Sequence, residues 1–219
     1  MQKNQGNTMN IKEELIEKWK KEGIVKDERL VNAFRKIKRE NFILKDNLSR
    51  AYSDYPLPIL GGQTISQPTT IITMIEALEL KETDKVLEIG AGSGYNAALI
   101  ASVCTKGIVY STEIVEELVA FAKKNLKKEK ITNVEVIHTD GSFGLREKSP
   151  FDKIISTCAC PEIPEPWLDQ LKSNGIIVAP VGPVHAQEMI QLRKIKGKIE
   201  MKTLGNFMFV PLKGRYGYE

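Results

Sequence analysis

The sequence is poor in the residues from which metal sites and nucleophilic sites are usually built. It contains only two histidines and three cysteines in 219 residues. His138 and His185 lie far apart in the chain. Cys104, Cys158 and Cys160 are odd in number and lack the spacing of a disulfide framework or a zinc knuckle. We therefore expect reduced thiols in a reducing compartment, and no metal site.

Long apolar runs are also missing. No stretch approaches the roughly 20 residues that a membrane-spanning helix needs, and the opening MQKNQGNTMN lacks the apolar core of a secretory signal. We expect a cytoplasmic enzyme without membrane contact, in which residues 1–9 form a disordered tail. The net charge is +4. The lysines within 123–130 have no interleaved aromatic residues, so a solvated helix end is favoured over a nucleic-acid patch.

The most informative segment that is present is VLEIGAGSGYNAALI, residues 86–100. It contains an apolar strand, the alternate glycines Gly90, Gly92 and Gly94, and the start of a helix. Such glycines let a ligand approach the backbone, and the first helical N–H groups would face that ligand. Tyr95 stands where a dinucleotide fingerprint needs its third glycine, and no P-loop lysine follows. A ligand with an adenosine and an amino-acid end therefore fits better than a pyrophosphate.

Strand and helix signals alternate along the chain from residue 85 onward. Strands are predicted at 85–89, 107–113, 133–138, 151–157, 175–181, 187–194 and 198–210. Helices are predicted at 94–103, 115–128 and near 166–172, after earlier helices at 11–21, 27–38 and from Pro68. The alternation predicts an α/β fold with a doubly wound, mostly parallel sheet and helices on both faces. Residues 10–60 would form a helical extension and a proline-rich loop (51–62) packed on this core, followed by a short polar link over 63–67.

Acidic residues close two of the predicted strands. Glu113 ends the second strand, where doubly wound folds place an acid that accepts ribose hydroxyls, although a charge at a helix N-terminus is the alternative. Asp140 ends the third strand before Gly141. It could accept from an adenine amino group or simply form a turn. Glu88 would organise the glycine loop or contact the amino end of the ligand.

The glycine and acid pattern resembles the first motif of S-adenosylmethionine-dependent methyltransferases. Three further segments are GGQTISQP at 61–68, PEIPEPWLDQLKSNGIIVAPVG at 161–182 and FMFVPL at 207–212. With them the chain resembles the protein-L-isoaspartate O-methyltransferases from about residue 12 to residue 212. The resemblance implies a Rossmann-like methyltransferase domain over 61–219.

The implied enzyme transfers a methyl group from S-adenosyl-L-methionine to the free α-carboxylate of L-isoaspartyl residues in damaged proteins. It releases S-adenosyl-L-homocysteine and needs no metal, and the methyl ester then closes to a succinimide, which begins repair. Such a carboxylate is ionised at neutral pH, so no general base is required. The expected partners are proteins and peptides that contain isoaspartate, the expected state is a monomer, and nucleic acid is not expected to bind.

The resemblance also assigns roles to residues. It makes Ser66 the active-site residue, whereas capping of the helix at Pro68 is the alternative reading. Residues expected to hold the substrate are Gln63, Thr64, Ile65, Val210, Pro211 and Leu212. Residues expected to hold the cofactor are Glu88, Gly90, Ala91, Gly92, Gly94, Asn96, Glu113, Ile114, Asp140 and Gly141. The chain departs from the family at Thr69 and in the Cys158-Ala159-Cys160 run, which leaves fine substrate preference and thiol sensitivity open.

Two other functions fit the same fold. One is a methyltransferase acting on RNA or a small molecule, but the segment 156–161 lacks the Asn/Asp-Pro-Pro-aromatic motif of amino-methylating enzymes. Cys160-Pro161 also reverses the Pro-Cys order of cytosine-C5 enzymes. The other is a non-catalytic binding subunit, against which the intact glycine motif and its two acids argue.

Overall fold

Two helices form an N-terminal layer ahead of the sheet. In a computed structural model the backbone of residues 2–218 and the side chains of residues 11–218 are described. Helix α1 spans Gln2–Lys21 and α2 spans Glu28–Lys36, with the Asp27 side chain capping α2 by accepting from the Arg29 N–H. The expected disordered tail over residues 1–9 stays a prediction, because Met1 and the side chains of residues 2–10 lie outside the described residues.

Within residues 2–218, nine strands make one small ribbon and one large sheet. Strands β1, Leu57–Pro58, and β2, Thr64–Ile65, form the antiparallel ribbon. The other strands are β3 Lys85–Ile89, β4 Ile108–Glu113, β5 Val134–His138, β6 Phe151–Ser156, β7 Leu171–Val181, β8 Gln187–Ile195 and β9 Lys198–Phe207. Their order is β5-β4-β3-β6-β7-β8-β9, parallel from β5 to β7 and antiparallel at β8 and β9.

Side chains of the sheet alternate between two apolar layers, as strand geometry requires. On β3, Val86 faces the cluster formed with the N-terminal helices, whereas Leu87 and Ile89 face a second cluster that includes Trp167. The remaining helices cover the two faces and are α3 Pro68–Leu78, α4 Tyr95–Val103, α5 Glu116–Lys128 and α6 Glu165–Gln170. The doubly wound α/β fold expected from the sequence is confirmed.

The chain crosses over beside β3, and this crossing sets the position of the site. From β3 the chain moves outward to β4 and β5, then returns to place β6 on the other side of β3. The carboxyl ends of β3, β4 and β6 therefore open onto one crevice, the place where doubly wound folds bind ligands.

Some predicted element boundaries were wrong. The proline-rich loop 51–62 and the polar link 63–67 contain the β1–β2 ribbon, closed by a short 3-10 turn over Leu60–Gly62. Two-residue strands give too few alternating positions to be read from the sequence. The strand predicted to begin at residue 175 begins at Leu171, and within it Asn174 has φ 65° where the register against β6 shifts.

Candidate active site

The glycine loop after β3 is the floor of the crevice. Gly90, Gly92 and Gly94 have φ values of 89°, 53° and 85°, a region that side chains rarely adopt. The N–H groups of Gly90 and Ala91 both donate to the Thr112 carbonyl, at 2.9 and 3.0 Å. A Cβ on Gly90 would lie 2.6 Å from Thr157 Oγ1. The loop is thus folded tightly between the ends of β4 and β6, and only glycine fits at position 90.

Glu113, at the end of β4, is bound to this loop. Its Oε2 accepts from the Gly92 N–H at 2.9 Å, and its Oε1 accepts from the N–H groups of Ile114 and Val115 at 2.9 and 3.0 Å. The side chain is buried. The carboxylate therefore joins the glycine loop to the start of α5, and it retains acceptor capacity because Oε2 accepts only one of these bonds.

Glu88 lies one layer deeper than the crevice. It is fully buried, and its Oε1 accepts from Asn96 Nδ2 at 2.7 Å, while Ser111 Oγ donates to its Oε2. Burial raises the pKa of Glu88 to about 7, against the lowering effect of these two donors. The Oδ1 atom of Asn96 is buried without a partner among the described residues. Asn96 itself lines the crevice, so this oxygen is an acceptor suited to an ammonium group.

Ser66 lies on the opposite wall, between β2 and α3. The structure identifies Gln67 as the N-cap of α3 and finds no side-chain cap there. Asp54 instead accepts from the Thr69 N–H at 3.0 Å. In the described part of the chain the Ser66 hydroxyl makes no hydrogen bond, and the residue is half-buried at the crevice wall. Ser66 is therefore not the helix cap, and its hydroxyl can donate to a ligand.

A segment near the C-terminus forms the third wall. The Ala159 N–H donates to the Val210 carbonyl at 2.8 Å, and the Leu212 N–H donates to the Ala159 carbonyl at 2.7 Å. These bonds hold Pro211 beside the loop that follows β6. The Cys158-Ala159-Cys160 run thus anchors the Val-Pro-Leu segment through its backbone.

One crevice brings together most of the residues expected to be functional. The predicted residues that line it are Gln63, Thr64, Ile65, Ser66, Gly90, Ala91, Gly92, Asn96, Glu113, Ile114, Gly141, Val210, Pro211 and Leu212. The predicted cofactor and substrate groups therefore meet in a single cavity, although they come from opposite ends of the chain.

Three predicted residues do not line this cavity. Glu88 lies behind Asn96, and Gly94 is the N-cap of α4. The Asp140 carboxylate accepts from the N–H groups of Ser142 and Arg215, both at 2.9 Å. Asp140 therefore makes the turn that was its alternative reading and also binds the C-terminal segment. Its contact with adenine stays a prediction.

The structure adds cavity residues that sequence reasoning missed. They are Ile71, Ile89, Ser93, Tyr95, Thr112, Val115, Leu118, Thr157, Cys158 and Lys213. Thr157 and Cys158 follow β6, so the rule that ligands bind at the carboxyl ends of strands would have identified them. Burial raises the pKa of the Cys158 thiol to about 12, so this cysteine is no nucleophile at neutral pH.

Among the described residues there is no group of three or more His, Cys, Asp or Glu side chains able to hold a metal ion. None of the helices in that part of the chain has the length and apolar character needed to cross a bilayer.

The sequence profile of the family Protein-L-isoaspartate(D-aspartate) O-methyltransferase (PCMT) matches residues 9–217. A protein-L-isoaspartate O-methyltransferase of Pyrococcus horikoshii is 46% identical over 219 residues, covering 96% of this chain and 99% of its own. The corresponding protein of Methanoculleus marisnigri is 45% identical, covering 95% of this chain and 94% of its own.

Solved structures give the same result. One protein-L-isoaspartate O-methyltransferase superposes with a TM-score of 0.84 at 32% identity, covering 94% of this chain and 67% of that chain. A structure from Plasmodium falciparum is described as a candidate protein-L-isoaspartate O-methyltransferase in complex with S-adenosyl-L-homocysteine. It superposes with a TM-score of 0.78 at 28% identity, covering 91% of this chain and 97% of that chain.

Proposed function

Since this chain belongs to the protein-L-isoaspartate O-methyltransferase family, we propose that its crevice is the site where isoaspartyl carboxylates are methylated. The chain is an S-adenosylmethionine-dependent methyltransferase. The observation that carries the site assignment is the meeting of the glycine loop, Ser66 and the Val-Pro-Leu segment in one cavity. The RNA, small-molecule and non-catalytic alternatives have no comparable support.

The cofactor side is supported by groups that suit each part of S-adenosylmethionine. The tight Gly90 loop lets a ligand reach the backbone, and Glu113 offers a carboxylate for ribose hydroxyls. The unpartnered Oδ1 of Asn96 can accept from the amino group. When bound, the cofactor supplies a methyl group on a sulfonium that an anion can displace. Glu88 would then act indirectly, by holding Asn96.

The acceptor side has to orient a carboxylate and exclude water. The Ser66 hydroxyl would donate to one carboxylate oxygen. The Val210–Leu212 wall and the Gln63–Ile65 segment would flank the displaced backbone of an isoaspartyl link. An aspartyl side chain carries the same charge as an isoaspartyl carboxylate, so discrimination between the two has to come from geometry rather than Coulomb attraction.

The proposed function is tested by methyl incorporation into an isoaspartyl peptide and its normal aspartyl twin. We expect transfer to the first and background transfer to the second, because only the isoaspartyl link presents a short α-carboxylate branch to the wall at Ser66. Equal rates on both peptides would overturn the acceptor assignment.

The role of Ser66 is tested in the same assay. We expect Ser66→Ala to lower kcat roughly ten- to a hundredfold, because it removes a hydrogen bond to a charged group that is worth about 1.5–3 kcal/mol and that forms fully only at the transition state, where it aligns the attacking oxygen. The melting temperature should change little, since Asp54 rather than Ser66 caps α3. Cofactor affinity, measured by calorimetry, should also hold. A destabilised variant with normal turnover would reduce Ser66 to a structural residue.

We propose further that the enzyme works as a monomer in the cytoplasm. Both walls of the cavity come from one chain, so no second copy is needed to complete it. The three free cysteines agree with a reducing compartment. Light scattering on the purified protein tests the monomer, and a stable dimer at micromolar concentration would contradict it.

A further inference from the structure

A buried arginine lies directly behind the acceptor wall. Arg39 opens the short 3-10 turn Arg39–Phe42 of the N-terminal layer, and its side chain is fully buried. Its Nη2 donates to the Ser66 carbonyl at 2.8 Å. Its guanidinium carbon lies 5.1 Å from the centre of the Tyr95 ring. Ser66 and Tyr95 both line the cavity, so Arg39 contacts two wall residues from behind.

This arginine is not explained by the packing of its own layer. Its Nε and Nη1 have no hydrogen-bond partner, and no ion pair to it occurs among residues 11–218. Burying a cation without a carboxylate is costly, and an apolar side chain of similar size would commonly serve stability as well or better. The one hydrogen bond that its side chain makes within that part of the chain goes to Ser66.

We propose that Arg39 is a positioning residue that orients Ser66 for methyl transfer. By holding the Ser66 carbonyl, it fixes the plane of the Ser66–Gln67 peptide and hence the direction of the Ser66 side chain. The bond comes from outside the β1–β2 ribbon, whose two residue pairs are too few to hold the wall by themselves.

The placement of the charge agrees with positioning rather than direct contact with substrate. In the reaction a carboxylate anion and a sulfonium cation become a neutral ester and a neutral thioether. A cation touching the carboxylate would stabilise the reactants more than the transition state and slow the step. Arg39 does not line the cavity. It therefore supports the donor that touches the carboxylate while the guanidinium itself stays behind Ser66 and Tyr95.

The test compares Arg39→Met with a matched change in the same layer. Lys12 is also buried, and its Nζ donates to the carbonyls of Arg35 and Ile37, but it contacts no residue of the cavity wall. We expect Arg39→Met to lower kcat on an isoaspartyl peptide at least tenfold, with the dissociation constant for S-adenosylhomocysteine changed less than twofold. Lys12→Met should keep kcat within twofold, even if its melting temperature falls further.

The inference rests on the proposed role of Ser66, so the same experiment includes Ser66→Ala and the double variant. If Arg39 acts through Ser66, then Arg39→Met adds less than a twofold loss to Ser66→Ala. Full activity of Ser66→Ala would overturn the proposed role of Ser66. Two results would overturn the inference about Arg39 alone. One is a reduced kcat in Ser66→Ala together with full kcat in Arg39→Met. The other is a double variant in which the two reductions of kcat multiply.

Arg39→Lys is a conservative variant that keeps the test usable if Arg39→Met does not fold. Arg39→Lys retains a cationic donor, so it should recover part of the lost kcat if the bond to Ser66 matters. If only Arg39→Lys folds, an intermediate kcat, with Lys12→Met at full kcat, supports the inference. Full kcat at a reduced melting temperature in Arg39→Leu, a second variant without a donor, would show a purely structural role.

Discussion

Glu113 and Glu88 are both buried and hydrogen-bonded, but they do different tasks. Glu113 accepts three backbone N–H groups and also lines the cavity, so it both shapes the glycine loop and faces the cavity. Glu88 holds Asn96 from below and never reaches the cavity. Glu113 lines the cavity and Glu88 does not, so the two residues need different tests.

Glu113→Ala should weaken binding of the cofactor and also lower stability. Loss of hydrogen bonds to a charged group costs about 1.5–3 kcal/mol, which is roughly ten- to over a hundredfold in affinity. Calorimetry with S-adenosylhomocysteine and a thermal melt measure the two effects. Glu116→Ala is the control, because it removes the same charge from the first turn of α5. Unchanged affinity in folded Glu113→Ala would show that the ribose contact is absent.

The buried Glu88 predicts a pH dependence of stability. Burial raises its pKa from the usual 4.5 to about 7, so the folded state holds a proton that the unfolded chain has released. This stabilisation is complete below about pH 4.5 and is lost as the pH rises through 7. The free energy of unfolding of Glu88→Gln should change less over that pH window than that of the unmodified protein, by on the order of 1–3 kcal/mol. The urea midpoints of both proteins at pH 5 and pH 8 measure this difference. Identical pH profiles for the two proteins would contradict the prediction.

At the scale of elements, the regular strands and helices were predictable and the short connections were not. Strand β3 repeats its predicted bounds of 85–89, and α4 and α5 begin within one residue of prediction. These elements carry long apolar patterns. The β1–β2 ribbon carries none, since its geometry depends on a 3-10 turn and on packing of Gly61 against α5.

In the candidate site, too, contacts within one local unit were predictable from the sequence and contacts between distant residues were not. The glycine loop and Glu113 were readable because one supersecondary unit carries the glycine motif and the strand-end acid. The hydrogen bond from Arg39 to Ser66 could not be predicted, because the two residues are 27 positions apart and meet only in the folded chain. The hydrogen bond that Asp140 accepts from the Arg215 N–H, 75 positions away, could not be predicted for the same reason.

The first turn of α3 depends on a residue from another element. Asp54 accepts from Thr69 through both its backbone N–H and its hydroxyl, at 3.0 and 2.7 Å, and Trp19 of α1 donates to the same hydroxyl at 2.7 Å. Asp54→Ala should therefore cost about 0.5–2 kcal/mol, the usual value of a lost helix cap.

The Asp54 cap is measured by the urea midpoint of the variant. Asp46→Ala provides a comparison, since it removes an equal charge from the neighbouring 3-10 turn Lys45–Arg50. Equal midpoints for the two variants would mean that the cap contributes nothing. The result also bears on Thr69, the position where the chain departs from its family, because the cap uses both of its polar groups.

The whole molecule should unfold in one step, although its N-terminal layer precedes the sheet in the chain. Side chains of that layer, Trp19 and Phe34 among them, share one apolar cluster with Val86 of the sheet and Ile100 of α4. Residues 10–60 are therefore expected to act as part of one cooperative unit.

The two tryptophans allow this to be measured, because they lie on opposite faces of the sheet. Trp19 reports the N-terminal layer and Trp167 reports the other face. In Trp167→Phe and Trp19→Phe, the fluorescence midpoint in urea should coincide with the far-ultraviolet circular dichroism midpoint of the same variant. An earlier fluorescence change for Trp19 would show that the extension unfolds separately.

The Val-Pro-Leu wall completes the cavity with a segment that lies far from the glycine loop in the sequence. A chain cut before residue 208, by a premature stop codon or a protease, keeps the glycine loop, Glu113 and Ser66, whereas one wall of the acceptor side is gone. Such a fragment would sequester the methyl donor without turning it over.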